Sequence, residues 1–239
     1  MTIDKTILIT GASSGIGEAT VRELVGTGAR LFIGARRTDR LEALAGELGD
    51  SVGWAALDVT DAASFDAFAD AAAARFGRVD ALVNNAGIMP LSPMAALKRD
   101  EWTRMIDVNI HGVLNGIAAV LPRFVAQGGG HVINVASIAA HMVMPTAAVY
   151  CATKHAVWAI TDGLRQEHDE IRTTVISPGV VATELGHDIT DAAVASDLKL
   201  WRQKSLTPDA IARAIRFALE QPDGVDINEV IVRPTAAGM

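Results

Sequence analysis

The chain has 239 residues, the length of one α/β domain, and half of them are apolar, which is enough for a large core. The formal net charge is −7, and no basic cluster is longer than Arg36 and Arg37, so we expect no nucleic-acid partner. A single cysteine excludes an intrachain disulfide and fits a reducing compartment.

The amino-terminal residues predict neither secretion nor membrane insertion. Residues 1–5 lead directly into a short apolar stretch and lack the charged region, the long apolar region and the cleavage site of a signal peptide. No apolar run approaches the ~18 residues of a membrane-spanning helix. We therefore expect a cytoplasmic protein with no membrane partner.

A short apolar run, a glycine-rich turn and a helical pattern follow one another near the start of the chain. Residues 6–10 predict a buried strand, and residues 18–26 have helical spacing. The turn between them contains Gly11, Gly15 and Gly17. Glycine lets a backbone approach a pyrophosphate, and a helix N-terminus offers free N–H groups. This context predicts a dinucleotide site, although the spacing G-x-x-x-G-x-G differs from the usual G-x-G-x-x-G, and a glycine turn without a ligand is the alternative.

Two arginines follow the second predicted strand, residues 30–34. In Rossmann proteins that prefer NAD, this region offers an acidic residue to the ribose 2′-hydroxyl, whereas an arginine accommodates a 2′-phosphate. Asp39 lies two residues beyond Arg37, which is too far along the chain for the acidic role. Arg36 and Arg37 therefore predict NADP(H) in preference to NAD(H). The alternative is that both are solvated residues of a loop.

Strands and helices alternate to the end of the chain. Further helices are predicted over residues 38–48, 61–76, 98–126 with an interruption near Asn109 and Gly112, 148–167 and 208–219, and further strands over 52–57, 81–83, 131–135, 173–176 and 229–232. This alternation predicts a single Rossmann-type domain over residues 1–239, with a doubly wound, mostly parallel sheet of seven strands and helices on both faces. Residues 184–206 resist a clean interpretation and predict a lid over a substrate cleft.

Small and polar residues stand at the carboxyl ends of the predicted strands, where ligands lie in parallel sheets. Asp58 and Val59 follow the third strand, and the segment 84–87, with the sequence Asn-Asn-Ala-Gly, follows the fourth. A plain turn is the alternative interpretation of this segment. Asn109 lies among apolar neighbours in a helix, where a satisfied core amide is the usual finding.

Tyr150 and Lys154 are four residues apart in a predicted helix and therefore share one of its faces. A nearby ammonium group favours the phenolate, so we expect Lys154 to lower the pKa of Tyr150. Such a pair can exchange a proton with a hydroxyl or carbonyl group near neutral pH. The spacing alone is a weak signal, because an exposed pair on a helix surface has the same spacing.

Taken together, these motifs resemble the short-chain dehydrogenase/reductase family from Thr10 to Val232. Residues 10–17 are similar to its T-G-x-x-x-G-x-G cofactor loop, and residues 84–87 match its N-N-A-G motif. Arg37 is similar to the NADP-preferring type, whereas Ser14 stands where a subset of the family has a second basic residue, which leaves NAD open. The resemblance implies that the cofactor is bound by Gly11, Ser13, Ser14, Gly15, Ile16, Gly17, Arg36, Arg37, Asp58, Val59, Asn85, Ala86, Gly87, Tyr150, Lys154, Pro178, Gly179, Val181 and Thr183.

The same resemblance implies a catalytic tetrad and a reaction. Ser137 would hold the substrate oxygen, and Tyr150 would be the general acid of reduction or the general base of oxidation. Lys154 would lower the pKa of Tyr150 and bind ribose hydroxyls, and Asn109 would hold a water in a proton relay. The expected activity is hydride transfer between NADP(H) and a carbonyl or secondary alcohol. An NAD(H)-dependent alcohol dehydrogenase of the same family, a non-catalytic NADP-binding sensor, and epimerisation or dehydration on a bound cofactor are the alternatives.

Two mostly apolar segments follow Gly87 and Ser137, so we expect an apolar or aromatic ketone, aldehyde or alcohol as the substrate. The expected substrate contacts are Met89, Ser137, Ile138, His141, Met144 and Tyr150. For His141 the alternatives are a bond to a polar substituent and a structural hydrogen bond. Cys151 is interpreted as a packing residue, and no metal site is expected. The resemblance implies a homotetramer, with a dimer as the alternative.

Overall fold

The fold is a single parallel sheet with helices on both sides. The computed structural model describes residues 2–235, so Met1 and residues 236–239 of the predicted domain lie outside the described residues. Within that part of the chain, seven strands form one sheet in the order β3-β2-β1-β4-β5-β6-β7. They are β1 (Thr6–Thr10), β2 (Arg30–Ala35), β3 (Val52–Ala56), β4 (Ala81–Asn84), β5 (Gly130–Val135), β6 (Ile171–Pro178) and β7 (Glu229–Val232). The predicted doubly wound α/β fold is confirmed.

Helices cover the two faces of the sheet. They are α1 (Gly15–Leu24), α2 (Thr38–Leu48), α3 (Ala62–Phe76), α4 (Arg99–Ile106), α5 (Gly112–Gln127), α6 (Ala148–Glu167), α7 (Ala192–Trp201) and α8 (Pro208–Leu219). Because side chains alternate along a strand, Ile7 and Ile9 of β1 enter one core while Leu8 enters the other. The first core contains Val21, Leu41 and Ile211 of α1, α2 and α8. The second contains Phe65, Val120 and Val157 of α3, α5 and α6.

Two element boundaries differ from the predictions in ways that matter for the site. Helix α1 begins at Gly15, so the last residues of the glycine turn already form its first turn. Strand β6 extends to Pro178, because its last residues pair with Ile231 and Val232 of β7. The predicted interruption of the long helix is a π-helical turn over Asp107–His111, and its central residue Asn109 is buried.

The continuous helical stretch Arg99–Gln127 is long and apolar enough to cross a membrane by length and composition alone. Nearly half of the most apolar part of this stretch is nevertheless buried inside the fold, as in the core helix of a globular domain. Its residues Val113, Val120 and Phe124 belong to the core under the sheet.

A buried chain of polar groups joins β4, β5 and α6. The Asn84 amide donates to Asn134 Oδ1 at 2.9 Å, and the Asn134 amide donates to Thr161 Oγ1 at 2.8 Å. Helix α5 packs against these hydrogen-bonded side chains at Gly116, where a Cβ atom would lie 2.4 Å from Asn84 Oδ1 and 2.8 Å from Phe65 Cζ. The glycine therefore permits close approach of α5 to β4, the strand that leads into the Asn-Asn-Ala-Gly segment.

We predict that Gly116→Ala lowers the free energy of unfolding by about 1–3 kcal/mol, because the added methyl group overpacks the contact with Asn84 and Phe65. The matched control is Gly46→Ala in α2, where a Cβ atom would meet nothing within 4 Å. This change should raise the free energy of unfolding by about 0.5–1 kcal/mol, the helical advantage of alanine. Urea denaturation of both variants measures the difference, and equal effects would contradict the packing assigned to Gly116.

Candidate active site

A cavity of about 700 Å³ lies at the carboxyl ends of the strands. It extends from the glycine turn after β1 to the side chains of Tyr150 and Lys154 on α6. Among the residues predicted for the site, its walls contain Gly11, Ser13, Ser14, Gly15, Ile16, Arg36, Arg37, Asp58, Val59, Asn85, Ala86, Gly87, Met89, Ser137, Ile138, Met144, Tyr150, Lys154, Pro178, Gly179, Val181 and Thr183. The structure thus brings these residues to one cleft.

The glycine turn is built by close approach of backbones. Gly11 has a positive φ of 66°, and a Cβ atom on it would lie 2.9 Å from the Cα atom of Ala86. Gly17 is absent from the cavity wall and serves the packing instead, since its Cβ atom would lie 2.4 Å from the Gly11 carbonyl oxygen. Thr10 Oγ1 accepts hydrogen bonds from the backbone N–H groups of Asn85 and Ala86, each at 3.0 Å. The ends of β1 and β4 are therefore clamped together.

The residues present fit a dinucleotide. Ser14 precedes α1 but its side chain does not cap the helix, so the first N–H groups are available to a phosphate. The Ser14 hydroxyl instead accepts from Arg37 Nη2 at 2.7 Å, and Ser13 Oγ accepts from Arg37 Nε at 3.1 Å. Asp58 accepts two hydrogen bonds from Thr60, which lower its pKa from the ordinary value. A helix end with available N–H groups and a cationic side chain thus occupy one end of the cavity.

A carboxylate that sequence reasoning missed faces this cationic end. Glu184 accepts from Arg37 Nη1 at 2.7 Å and from Arg40 Nη1 at 2.9 Å. The hydrogen bonds from Arg40 and Arg37 lower the pKa of Glu184 to about 2. Glu184 directly follows Thr183, but the sequence carries no signal that it would meet α2, because 147 residues separate it from Arg37.

Tyr150 and Lys154 lie at the other end of the cavity, and both are buried. Lys154 Nζ donates to the carbonyl of Val135 at 2.9 Å and lies 5.8 Å from the centroid of the Tyr150 ring. Burial raises the pKa of Tyr150 to about 12, against the opposing effect of a hydrogen bond with Ser137. Burial also lowers the pKa of Lys154 to about 8.

The causes of the raised pKa of Tyr150 are burial, Ser137 and Cys151, so the predicted lowering of this pKa by Lys154 stays a prediction. Desolvation disfavours the charged form of each group and is the largest cause of both pKa shifts. At neutral pH the phenol is therefore protonated. The Ser137 hydroxyl accepts from the backbone N–H of Ala139 at 3.1 Å, which fixes its position beside the phenol.

Asn109 lies behind the cavity wall. Its Oδ1 atom accepts from the backbone N–H of Ile88 at 2.9 Å, and its Nδ2 atom donates to the Ile88 carbonyl at 3.0 Å and to Thr153 Oγ1 at 3.1 Å. Its amide therefore holds the segment after β4 against α6. The predicted water relay through Asn109 stays a prediction.

His141 does not line the cavity, contrary to its place in the predicted substrate set. Its Nε2 atom lies 2.7 Å from Glu229 Oε1 and 3.3 Å from Ser177 Oγ. The turn after Ser137 directs the ring toward β7, where these polar partners hold it. The structural hydrogen bond left open as the alternative is the one observed.

The thiol of Cys151 has no place in the cavity. Cys151 is fully buried in the cluster that contains Leu91 and Ala139. In the part of the chain that the structure describes, no group of three or more His, Cys, Asp or Glu side chains is arranged to hold a metal ion.

The predicted lid segment, residues 184–206, supplies much of the remaining wall. It folds as α7 followed by a single turn at Arg202–Lys204. Its residues in the wall include Leu185, Gly186, His187, Asp188, Leu198, Trp201 and Arg202. Leu198 and Trp201 are three residues apart on α7, about one helical turn, and this spacing is the sequence signal that could have identified them as wall residues. Thr190 fixes the segment to α4 through a hydrogen bond to Glu101 at 2.6 Å.

Comparisons with known proteins agree with this geometry. A family model described as short chain dehydrogenase matches residues 5–193. An uncharacterized oxidoreductase of Staphylococcus saprophyticus is 51% identical over 241 residues, which cover 99% of this chain and 98% of the relative.

Solved structures with bound cofactors share the fold. An alcohol dehydrogenase from Thermococcus sibiricus, complexed with 5-hydroxy-NADP, is 34% identical with a TM-score of 0.87 over 97% of each chain. A 3-ketoacyl-(acyl-carrier-protein) reductase from Brucella melitensis, complexed with NADH, is 32% identical with a TM-score of 0.84 over 95% of this chain and 96% of that one. Together with the family model and the geometry of the cleft, these matches identify the chain as an oxidoreductase with a nicotinamide dinucleotide site, a member of the short-chain dehydrogenase family.

Proposed function

We propose that the protein transfers a hydride between NADP(H) and an apolar carbonyl compound or the corresponding secondary alcohol. The observation that carries the proposal is the convergence of Ser137, Tyr150 and Lys154 at one end of a cavity whose other end carries Arg37. The first group suits acid–base chemistry on an oxygen atom, and the arginine suits a phosphate. A non-catalytic sensor has no need of the first group.

Tyr150 is the general acid in the direction of reduction. With its pKa raised to about 12, the phenol keeps its proton at neutral pH and can give it to a carbonyl oxygen. When bound, the cofactor supplies the hydride that the carbonyl carbon accepts, or takes it back in oxidation. Ser137 orients the substrate oxygen toward the phenol, and Lys154 holds the ribose and keeps a positive charge beside the proton donor.

The preference for NADP(H) is supported by Arg37, which lines the cavity beside the serines of the glycine turn. A planar guanidinium binds a phosphate in bidentate fashion. One observation favours NAD(H) instead, namely that the Arg37 guanidinium already donates a hydrogen bond to the carboxylate of Glu184. The known structures described above contain one cofactor of each kind, in the dehydrogenase from Thermococcus sibiricus and the reductase from Brucella melitensis.

The substrate half of the cavity supports an apolar or aromatic carbonyl compound. Its wall is formed by Met89, Leu91, Met144, Leu198 and Trp201. Arg202 also lines the cavity, but its guanidinium donates to the carbonyl of Leu185 within the lid segment. This arrangement favours recognition by shape and apolar contact over capture of a carboxylate.

We further propose a cytoplasmic homotetramer, with a dimer as the alternative. The assembly is supported by exposed apolar side chains on the two helices that the resemblance assigns to subunit contacts, Leu114 and Val125 on α5 and Trp158 on α6. The cytoplasmic location is supported by a single cysteine that is buried and unpaired.

The Tyr150→Phe variant should lose about a thousandfold or more in turnover, since the phenol is the only proton donor assigned to the substrate oxygen. The assay is oxidation of NADPH and NADH in parallel, against a panel of apolar, aromatic, keto-ester and sugar carbonyls. Cys151→Ala, which alters the neighbouring buried residue, is the control and should keep most of the activity. A Tyr150→Phe variant with near wild-type turnover would refute the role, and faster turnover with NADH would refute the cofactor preference.

The pH dependence of carbonyl reduction should report Lys154. Its pKa of about 8 in the structure without ligands predicts that kcat/KM is constant below neutral pH and falls as pH rises through about 8, where the ammonium loses its charge. The phenol, with a pKa of about 12, stays protonated across the same range. A profile without a break until about pH 10, the ordinary range of lysine, would contradict the desolvation of Lys154.

Multi-angle light scattering should give a mass near four times the 25.1 kDa of one chain, because exposed apolar faces on α5 and α6 become buried between copies. The variant Leu114→Glu, placed on the exposed face of α5, should lower the mass. A wild-type mass near 25 kDa contradicts the proposed assembly.

A further inference from the structure

One carboxylate bridges two arginines near the glycine turn, of which Arg37 lines the cavity and Arg40 does not. Glu184 Oε2 accepts from Arg37 Nη1 at 2.7 Å, while Oε1 accepts from Arg40 Nη1 at 2.9 Å. The other two nitrogens of Arg37 donate to Ser13 and Ser14. Every nitrogen of the Arg37 guanidinium therefore has a partner within the protein itself.

The chemistry of this contact resembles that of the ligand proposed for the same place. A ribose 2′-phosphate presents several anionic oxygens, and it prefers the planar N–H pairs of arginine for the same reason as a carboxylate. The N–H groups that point at Glu184 cannot serve both anions. Two anions at one site also repel each other, so a phosphate on Arg37 disfavours the ionised carboxylate next to it.

The location of Glu184 links this contact to the substrate half. It is the first residue of the lid segment, and the next residue, Leu185, lines the cavity. Arg202 donates to the Leu185 carbonyl, and a Cβ atom on Gly186 would lie 2.7 Å from Leu198 Cδ2. The chain that follows Glu184 is thus closely packed, and the carboxylate is presented to α2 from a defined position.

We propose that Glu184 is a specificity-determining residue that competes with the 2′-phosphate of NADP(H) for Arg37. Ligands with a 2′-phosphate must displace the carboxylate, whereas ligands with a free 2′-hydroxyl leave it in place. Glu184 therefore weakens the binding of NADP(H) selectively and reduces the difference in affinity between NADP(H) and NAD(H). The inference rests on the proposed function in one respect, the assignment of Arg37 to the 2′-phosphate.

The test measures binding of two fragments that lack the nicotinamide. Adenosine 2′,5′-bisphosphate carries the 2′-phosphate, and 5′-AMP is the same molecule without it. Calorimetric Kd values give the ratio of the two affinities for the wild type and for Glu184→Gln. The glutamine keeps the size of the side chain but removes its charge. The bisphosphate should therefore bind about 3- to 10-fold more tightly, while the affinity for 5′-AMP should stay unchanged.

The matched control is Glu47→Gln. Glu47 is also an exposed carboxylate that accepts hydrogen bonds from an arginine, at 2.7 and 3.0 Å from Arg22, and it does not line the cavity. This variant changes the net charge equally and should leave the ratio unchanged. An equal gain in Glu47→Gln would reduce the effect to net charge and overturn the proposal.

A second background tests the route of the effect. With Arg37→Gln and Arg40→Gln both present, the further change Glu184→Gln should no longer alter the ratio. The proposal is overturned if Glu184→Gln alone leaves the preference for the bisphosphate over 5′-AMP unchanged or lowers it. A lower preference would assign Glu184 to positioning Arg37 instead. The wild-type ratio separately tests the proposed function. If the wild type shows no preference for the bisphosphate, a gain in Glu184→Gln still supports the competition, and no gain refutes it.

Discussion

The close approach of the glycine turn to the segment after β4 is the constraint on which the site depends. Strands β1 and β4 are neighbours where the strand order reverses, and a crevice opens beyond their carboxyl ends. Thr10 and Asn85 bond to each other across this junction. Side chains at residues 11 or 17 would fill the space between the two backbones. The same contact exposes the N-terminus of α1 and directs the chain after β4 toward Asn109 and α6.

Burial then determines the chemistry at the other end of the cleft. Isolated in water, a lysine beside a tyrosine favours the phenolate, and the sequence alone leads to that expectation. In the folded chain both groups lose solvent, and each is driven toward its neutral form. The consequence is a protonated phenol beside a lysine that titrates near pH 8, a pair suited to give a proton to a carbonyl. How strongly a group is desolvated depends on the whole fold, which spacing within a helix does not reveal.

Most of the cleft was predictable because its residues are marked by local patterns. A glycine turn after an apolar run, or Asn85 at the end of a strand, can be identified from the neighbouring residues in the sequence. Parallel strands then bring such strand ends together. The misplaced His141 and the missed Glu184 have partners that are remote in the chain. His141 turns toward Glu229, 88 residues away, and Glu184 meets Arg37 across 147 residues. Side-chain direction in a loop is decided by such tertiary partners, so sequence spacing carries no information about it.

Selectivity between two cofactors is a difference of affinities, so a residue that opposes one ligand is as effective as a residue that favours the other. In the proposed arrangement Arg37 attracts a 2′-phosphate, while Glu184 imposes a cost that only a 2′-phosphate incurs. Because the carboxylate is exposed and screened by solvent, we expect that cost to be modest, so that part of the attraction of Arg37 for the phosphate remains. We therefore expect a cleft with both elements to accept NADP(H) and to keep measurable affinity for NAD(H). The balance is adjustable at Glu184 without any change at Tyr150, since the two lie at opposite ends of the cavity.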